Sequence, residues 1–386
     1  MRLGLDLLGI GERSAGIGTH AIALPGALLA AEPGIEITAI IGREAPPSLI
    51  GAPWAGDVRW LRLPVATRGR QVALAQYAGL PLLGLARRLD VVHTLSNVGA
   101  PRVPGLATVV TVHDLIWKHA GLDWGPPEAV AAMERMAARA ARWATRVQAD
   151  SHATRADVLA LAGLEEAKVD VVPLGASAAP DAPATPEAEL RARLELGSGP
   201  VLLAVAQKRP YKNLQAAVRA VASLGDDARL VLPGAPTPHE AGLRALAAGL
   251  GVEDRVRFLG WVEDADLEGL YRSAAAVLVL SRYEGFGLPV LEAMLRGTPV
   301  VAADAMSLPE VAGDAALLVD PGDQAAIDAA VARVAGDPEL RAELARRGRE
   351  RAAQFTWERT ARETLASYRR ALARSTPGRG RRALSR

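Results

Sequence analysis

Leu280–Pro321, LSRYEGFGLPVLEAMLRGTPVVAADAMSLPEVAGDAALLVDP, is the stretch that decides the fold. It begins where the apolar run Ala274–Leu280 (AAAVLVL) ends, and that run predicts a parallel strand buried on both faces. A polar loop with two glycines follows, Ser281–Leu288. Pro289 stands where a helix would start, with its φ fixed and no N–H to satisfy. Leu291, Met294 and Leu295 share one face of that helix, and Gly297 ends it. Pro299–Ala303 reads as the next strand. Strand, glycine loop, helix and strand together imply an open parallel α/β sheet, which binds ligands beyond the carboxyl ends of its strands.

The glycine loop lies at such an end. Gly285 and Gly287 let the main chain approach a bound group. The helix start offers unsatisfied N–H donors and a positive dipole end, which suit a phosphate. Glu284 leaves from the loop and Glu292 from one turn into the helix, so two carboxylates face one ligand. Two glutamates eight apart also arise on an ordinary solvated helix face. Here they frame GFGLP and are followed by SLPE and VAGDAALLVDP. In this form they resemble the E-x7-E signature of the retaining nucleotide-sugar glycosyltransferases of family 4, and the resemblance spans nearly the whole chain.

That resemblance implies the GT-B fold, α/β throughout. Two facing Rossmann-like domains have parallel sheets, and a C-terminal helix crosses back to the N-terminal domain. It implies transfer of a hexose, mannose among the options, from a nucleoside diphosphate sugar to a glycan, lipid-linked or small-molecule acceptor, with retention of anomeric configuration. It places Glu284 at the sugar hydroxyls, Glu292 at the ribose, and the main chain of Phe286, Gly287 and Leu288, beside Gly285, at the phosphate. The expected domains are 1–175 for the acceptor, a linker over 176–198, 199–355 for the donor, a crossing helix over 356–373 and a disordered tail over 374–386.

Upstream, Val201–Ala206 reads as the first strand of the donor domain, followed by Gln-Lys-Arg-Pro-Tyr-Lys-Asn-Leu. The family match assigns Lys212 to the donor diphosphate. Many relatives carry an arginine near position 206, where this chain has Ala206 and Gln207; Lys208 or Arg209 is left for that role. A solvated turn accounts for three cations equally well if the match is set aside. Arg229–Leu232 and Val256–Gly260 are further strands, and the match puts Trp261 and Val262 beside the nucleobase. Asp264 and Asp266 have the look of a metal-binding D-x-D, but they precede a helix and read as its cap. Helical runs at Gly322–Gly336 and Pro338–Gln354 precede a last helix to about Ala373.

The N-terminal half repeats the alternation. Strands are expected at Leu3–Ile10, Ile35–Ile41, Val58–Leu63, Asp90–Thr94, Ala107–Val112 and Val147–Ser151, a βαβ pattern. The dinucleotide fingerprint fails at the first turn, because Ser14 stands where its third glycine belongs. A helix is expected from about Thr19 to Ala30. SAGIGTH resembles the family loop whose backbone faces the donor diphosphate and the acceptor, which implicates Gly16 and Gly18; a plain strand-to-helix turn is the alternative. TVVTVHDL matches a family motif and makes His113 a candidate for a sugar hydroxyl or the acceptor. Trp54, Trp60, Trp117, Trp124 and Trp143 lie in this half, and core packing is the simpler role for most of them. ADSHATRADV resembles a serine-containing family segment more weakly.

Composition closes other options. A chain of 386 residues, half of them apolar, suits two domains. There is no cysteine, so disulfides and thiolate chemistry are excluded, and a reducing cytoplasm suits the chain. No apolar run approaches a membrane span. The net charge is +2, and the five arginines of Arg374–Arg386, taken away, leave −3 on the rest. The basicity therefore belongs to the tail, a segment suited to anionic lipid head groups or simply to solvent, and a nucleic-acid groove is not expected. The six histidines show no paired spacing, so no metal or other cofactor is expected. Two rivals remain: a nucleotide-sugar epimerase on the same fold, for which no acid/base pair is evident, and a non-catalytic sugar-nucleotide binder, against which Glu284, Lys212 and His113 argue.

Overall fold

The computed structural model describes residues 1–11, 15–65, 88–100, 105–119, 125–176 and 182–375. The basic tail beyond Ser375 and Trp124 lie outside them. The chain divides into two units, Met1–His119 with Trp124–Gly175 and Trp357–Arg386, and Ala176–Thr356.

The first unit is built on seven parallel strands: β1 (Arg2–Asp6), β2 (Glu36–Ile41), β3 (Arg59–Arg62), β4 (Val91–Thr94), β5 (Ala107–Val112), β6 (Arg146–Ala149) and β7 (Val169–Val171). Their order is β3-β2-β1-β4-β5-β6-β7. Strands β4, β5 and β6 are buried along their whole length, as strands covered on both faces of a doubly wound sheet should be, although they carry polar residues such as His93, Thr111, Arg146 and Gln148 inward as well. The order reverses between β1 and β4, which opens a crevice at their carboxyl ends.

The helix after β1 runs Ala15–Ala31 and so begins before the expected Thr19. Ile17 packs against the core in one stripe with the buried Ala21, Leu24 and Leu28, a spacing that carries the helix back over Gly16 and Gly18. Both glycines thus lie in a first helical turn, not in a loop.

The last helix, Trp357–Ser375, belongs to this first unit. Ala361, Leu365, Tyr368 and Ala371 bury into the same core as Leu3, Leu5, Ala107 and Val109. Tyr368 also reaches His93 on β4, with its hydroxyl 2.7 Å from Nδ1, and His93 Nε2 lies 2.7 Å from Thr111 Oγ1. Thr111 donates to Gln148, so it accepts from His93 Nε2–H, and Nδ1 accepts from Tyr368. Burial, helped by the nearby His113, lowers the His93 pKa to about 3 and keeps this chain of hydrogen bonds neutral.

The second unit repeats the winding with β8 (Val201–Leu203), β9 (Arg229–Leu232), β10 (Val256–Phe258), β11 (Ala276–Val279), β12 (Val300–Ala303) and β13 (Leu317–Val319), in the order β10-β9-β8-β11-β12-β13, all parallel. Its switch point lies between β8 and β11. The helix Leu288–Leu295 carries its proline in the first turn as expected.

The stretch expected as a linker contains the helix Glu187–Arg193, which belongs to the second unit. Its Leu190 is fully buried, Thr185 Oγ1 donates to Asp266 Oδ1 (2.6 Å), and Arg193 pairs with Asp266 Oδ2 (2.6 Å). These contacts also correct the reading of Asp264 and Asp266 as caps. Both sit in the first turn of Asp264–Ser273, Glu263 occupies the cap position without a side-chain bond, and Asp266 fastens the helix Glu187–Arg193. Among the described residues, no helix is long and apolar enough to cross a membrane.

Candidate active site

The second unit assembles its site at the switch point. Strands β8 and β11 are neighbours, with Leu203 opposite Val277, so the loops leaving their carboxyl ends run side by side. Arg282 N donates to Tyr211 O (2.9 Å) and ties the loops together. Asn213 takes a left-handed conformation (φ 54°) that turns the first loop into its helix, and its Nδ2 is held by Pro321 O. This geometry brings Lys212 Nζ to 2.6 Å from Glu284 Oε1. Ser281 Oγ donates to the same oxygen at 2.7 Å. Both charged side chains are mostly shielded, 16% and 12% exposed, so the attraction is stronger than between surface charges. Glu284 Oε2 has no hydrogen-bond partner among the described residues and remains an acceptor.

The glycine loop is held from behind. Ser307 Oγ lies 2.8 Å from Glu284 O and 2.9 Å from Phe286 O. With those carbonyls turned inward, the N–H groups that open the helix Leu288–Leu295 remain unclaimed by helical bonds. Gly287 has φ 107°, and a Cβ there would meet Leu308 Cδ2 at 2.8 Å, so only glycine fits. Phe286 and Leu288 bury their side chains and leave only main chain to offer. Gly285 belongs to the same bend.

Lys208 departs from the expectation. Its side chain is 0% exposed, and its ammonium donates to the carbonyls of Gly234 and Leu259. It joins the loop after β8 to those after β9 and β10, and burial lowers its pKa to about 8. Its main-chain N–H bonds to Ala235 O and its carbonyl accepts from Thr237 Oγ1, so the loop after β8 is held against the turn after β9. Of the two candidates for the missing arginine, Arg209 alone keeps a guanidinium with no partner among the described residues. Trp261 is 55% exposed at the end of β10, with Val262 half-buried beside it. Glu292 is not joined to Glu284; its Oε2 accepts from the Tyr271 hydroxyl at 2.7 Å.

In the first unit, Val112 on β5 lies opposite Ala149 on β6, so the next residues, His113 and Asp150, come side by side. His113 Nδ1 donates to Asp150 Oδ2 at 2.6 Å, and its main-chain N–H to Asn97 Oδ1 at 2.7 Å. Nε2 is buried without a partner. Burial pulls the imidazole pKa down, but Asp150, with help from Asp114, outweighs it and leaves the value raised. His20 stands edge-on to His113 at 5.2 Å between ring centroids and stacks on Trp357. Trp117, in the segment after His113, is buried, in line with core packing. Gly16 and Gly18 belong to this unit as well.

Sequence reasoning missed Asp150, Asn97, Ser307 and Tyr271. Asp150 lies inside ADSHATRADV, next to the serine that resembles the family segment. Ser151 is in fact a helix cap, accepting from Thr154 N. Parallel neighbours with known register would have paired Asp150 with His113; the other three needed the fold. Among the described residues, no three His, Cys, Asp or Glu side chains group as metal ligands.

Two family models match in tandem. The Glycosyltransferase Family 4 model covers residues 15–179 and the Glycosyl transferases group 1 model residues 187–351. A D-inositol 3-phosphate glycosyltransferase of Kineococcus radiotolerans is 37% identical over 251 residues, 59% of this chain and 58% of that one. The chain thus spans little more than half the length of that curated relative. Sucrose-phosphate synthase from Thermosynechococcus elongatus superposes with a TM-score of 0.73 at 23% identity, over 97% of this chain and 100% of that one. Anabaena HepE in complex with UDP and glucose gives 0.71 at 21% identity, over 95% and 100%. These solved structures share the two-unit GT-B fold.

Proposed function

Because the chain belongs to the group 1 glycosyltransferases of family 4, we propose that it transfers a hexose from a nucleoside diphosphate sugar to a hydroxyl-bearing acceptor with retention of configuration. One observation carries this reading: Lys212 and Glu284 meet at the switch point of the second unit with one carboxylate oxygen still open. In the reaction, the bond from the anomeric carbon to the diphosphate oxygen breaks and the sugar gains positive charge. The leaving diphosphate keeps the electron pair. Lys212, Arg209 and the N–H groups at Phe286, Gly287 and Leu288 stabilise that negative charge. Glu284 Oε2 accepts from sugar hydroxyls and places a negative charge near the cationic carbon. The acceptor oxygen bonds to that carbon, and its proton passes to the departing phosphate.

Within the first unit the candidate is His113. With Nδ1 committed to Asp150, its Nε2 addresses a sugar or acceptor hydroxyl. Trp261 and Val262 flank the base, and Glu292 accepts from the ribose. The positive charge at the phosphate comes from side chains and a helix start, so the reaction proceeds without a metal.

The test is turnover. The protein is incubated with radiolabelled UDP-, GDP- and ADP-hexoses, mannose included, and with acceptors that include D-inositol 3-phosphate, in the presence and absence of EDTA. One donor should give a glycosylated product with retained configuration, at a rate EDTA leaves unchanged. Epimerised donor without transfer, or binding without turnover across the panel, would replace this reading by one of the rivals. Loss of activity in EDTA, restored by one divalent ion, would overturn the metal-free mechanism.

A further inference from the structure

Glu292 sits on the short helix Leu288–Leu295 and is half-buried, with one carboxylate oxygen engaged. What engages it is unusual. Tyr271 is 1% exposed, on the helix Asp264–Ser273, and it gives its one proton to Glu292 Oε2 rather than to a main-chain carbonyl. The ring is in turn locked. Arg296 lies with Cζ 4.9 Å from the ring centroid and donates through Nη1 to Glu292 O at 2.8 Å. The same guanidinium reaches the buried Glu268 through Nε (2.7 Å) and Nη2 (2.6 Å). Thr298 Oγ1 donates to Tyr271 O at 2.7 Å and fixes the main chain behind the ring.

We propose that Tyr271, clamped by Arg296, is a positioning residue that presents the Glu292 carboxylate to the ribose hydroxyls of the donor. This rests on the reading of Glu292 as the ribose acceptor. A glutamate side chain has several rotamers and loses that freedom when it binds. A carboxylate is an acceptor only, with two oxygens. The Tyr271 bond selects one rotamer and occupies Oε2, which leaves Oε1 to face outward, already oriented before the ligand arrives. Burial and Glu292 both raise the Tyr271 pKa, so the phenol remains a donor throughout the working range. The surrounding cluster supports an orienting role over a packing one. A tyrosine that only fills space has no need of a ring-capping arginine that also bonds the main chain of the residue its hydroxyl holds.

The experiment uses the full chain and calorimetry. The probe is whichever of UDP, GDP and ADP binds most tightly, compared with its 2′,3′-dideoxy form. The wild type should prefer the ribonucleotide. Tyr271→Phe should reduce that preference by about 5-fold, the reach of one hydrogen bond, and leave the dideoxynucleotide affinity unchanged. Glu292→Ala should abolish the preference, and Tyr271→Phe added to it should change nothing further. Melting curves establish that each variant is folded. Should Tyr271→Phe not fold, Arg296→Lys keeps a cation opposite Glu268 and every tyrosine in place but loosens the clamp; it should also weaken the ribonucleotide selectively. Equal weakening of both nucleotides by either variant means ordinary packing and overturns the proposal. If Glu292→Ala abolishes the preference while Tyr271→Phe leaves it intact, the clamp is refuted and the ribose role of Glu292 stands. If Glu292→Ala leaves the preference intact, the ribose role itself fails, and the proposal with it.

Discussion

Replacing Lys208 by Met should destabilise the second unit more at pH 10 than at pH 7. Lys208 is wholly buried, and its pKa falls from 10.5 to about 8, chiefly through burial. A depressed pKa contributes stability that is fully present above the unfolded value and is lost as pH falls through the folded one. Below pH 8 the folded unit holds a charged amine away from water. By pH 10 the folded amine is neutral while the unfolded one is still mostly charged. The span between the two values corresponds to about 3 kcal/mol, and between pH 7 and 10 roughly 2 kcal/mol of it is realised once structural relaxation is allowed for. Methionine matches the length and carries no charge, but it leaves the Gly234 and Leu259 carbonyls without their donor at every pH. That omission costs about 1–3 kcal/mol per carbonyl. Near pH 7 the relief of the buried charge offsets much of it; near pH 10 no relief remains. Scanning calorimetry of wild type and Lys208→Met across this range should show the gap in melting temperature widen by about 5 °C, at the 2–4 °C per kcal/mol typical of a unit this size. A gap independent of pH would refute the buried, depressed lysine. A gap that narrows toward pH 10 would mean that the charged form is the favoured one, as for a cation facing an anionic ligand.

Glu284→Gln should retain the melting temperature within a few degrees yet lower turnover about 100-fold, as expected when a charge beside a cationic centre is removed; near-normal turnover in the folded variant would dismiss Glu284 from the reaction. Lys212→Ala should weaken nucleoside diphosphate far more than nucleoside, and equal losses in calorimetry would remove Lys212 from the phosphate. The raised His113 pKa contributes stability below about pH 6.5 that fades as pH rises through the folded value. Asp150→Asn should therefore lower the melting temperature more at pH 6 than at pH 9, and a uniform drop would show that the bond carries no charge.

How far the sequence was legible depended on the kind of information asked of it. Strands such as Ala107–Val112 and the core of Ala274–Leu280 were plain because a parallel strand covered on both faces is largely apolar and β-branched, with only two threonines interrupting the first. The three-residue strand Leu317–Val319 escaped, since ALLVDP is too short to show a period. Lys212 and Glu284 were readable as separate candidates, but their pairing depends on strand order, which periodicity does not encode. Lys208 could not be told from Arg209 for a related reason. Two adjacent cations, Lys208 and Arg209 in a polar loop, look alike in sequence, and the Gly234 and Leu259 carbonyls that take the Lys208 ammonium come from loops distant in the chain.

The last helix has a consequence for biosynthesis. The sheet of the first unit emerges from the ribosome early, yet the helix that covers its core, Trp357–Ser375, is translated after the entire second unit. Until then Leu3, Leu5 and Val109 lack the apolar partners Ala361, Leu365 and Tyr368, and His93 lacks its phenol. The second unit, whose described core is contained within Ala176–Thr356, has its strands and helices in hand first. The N-terminal half of the protein is therefore the last to be finished, and a nascent chain exposes an unfinished apolar face for as long as residues 176–356 take to synthesise.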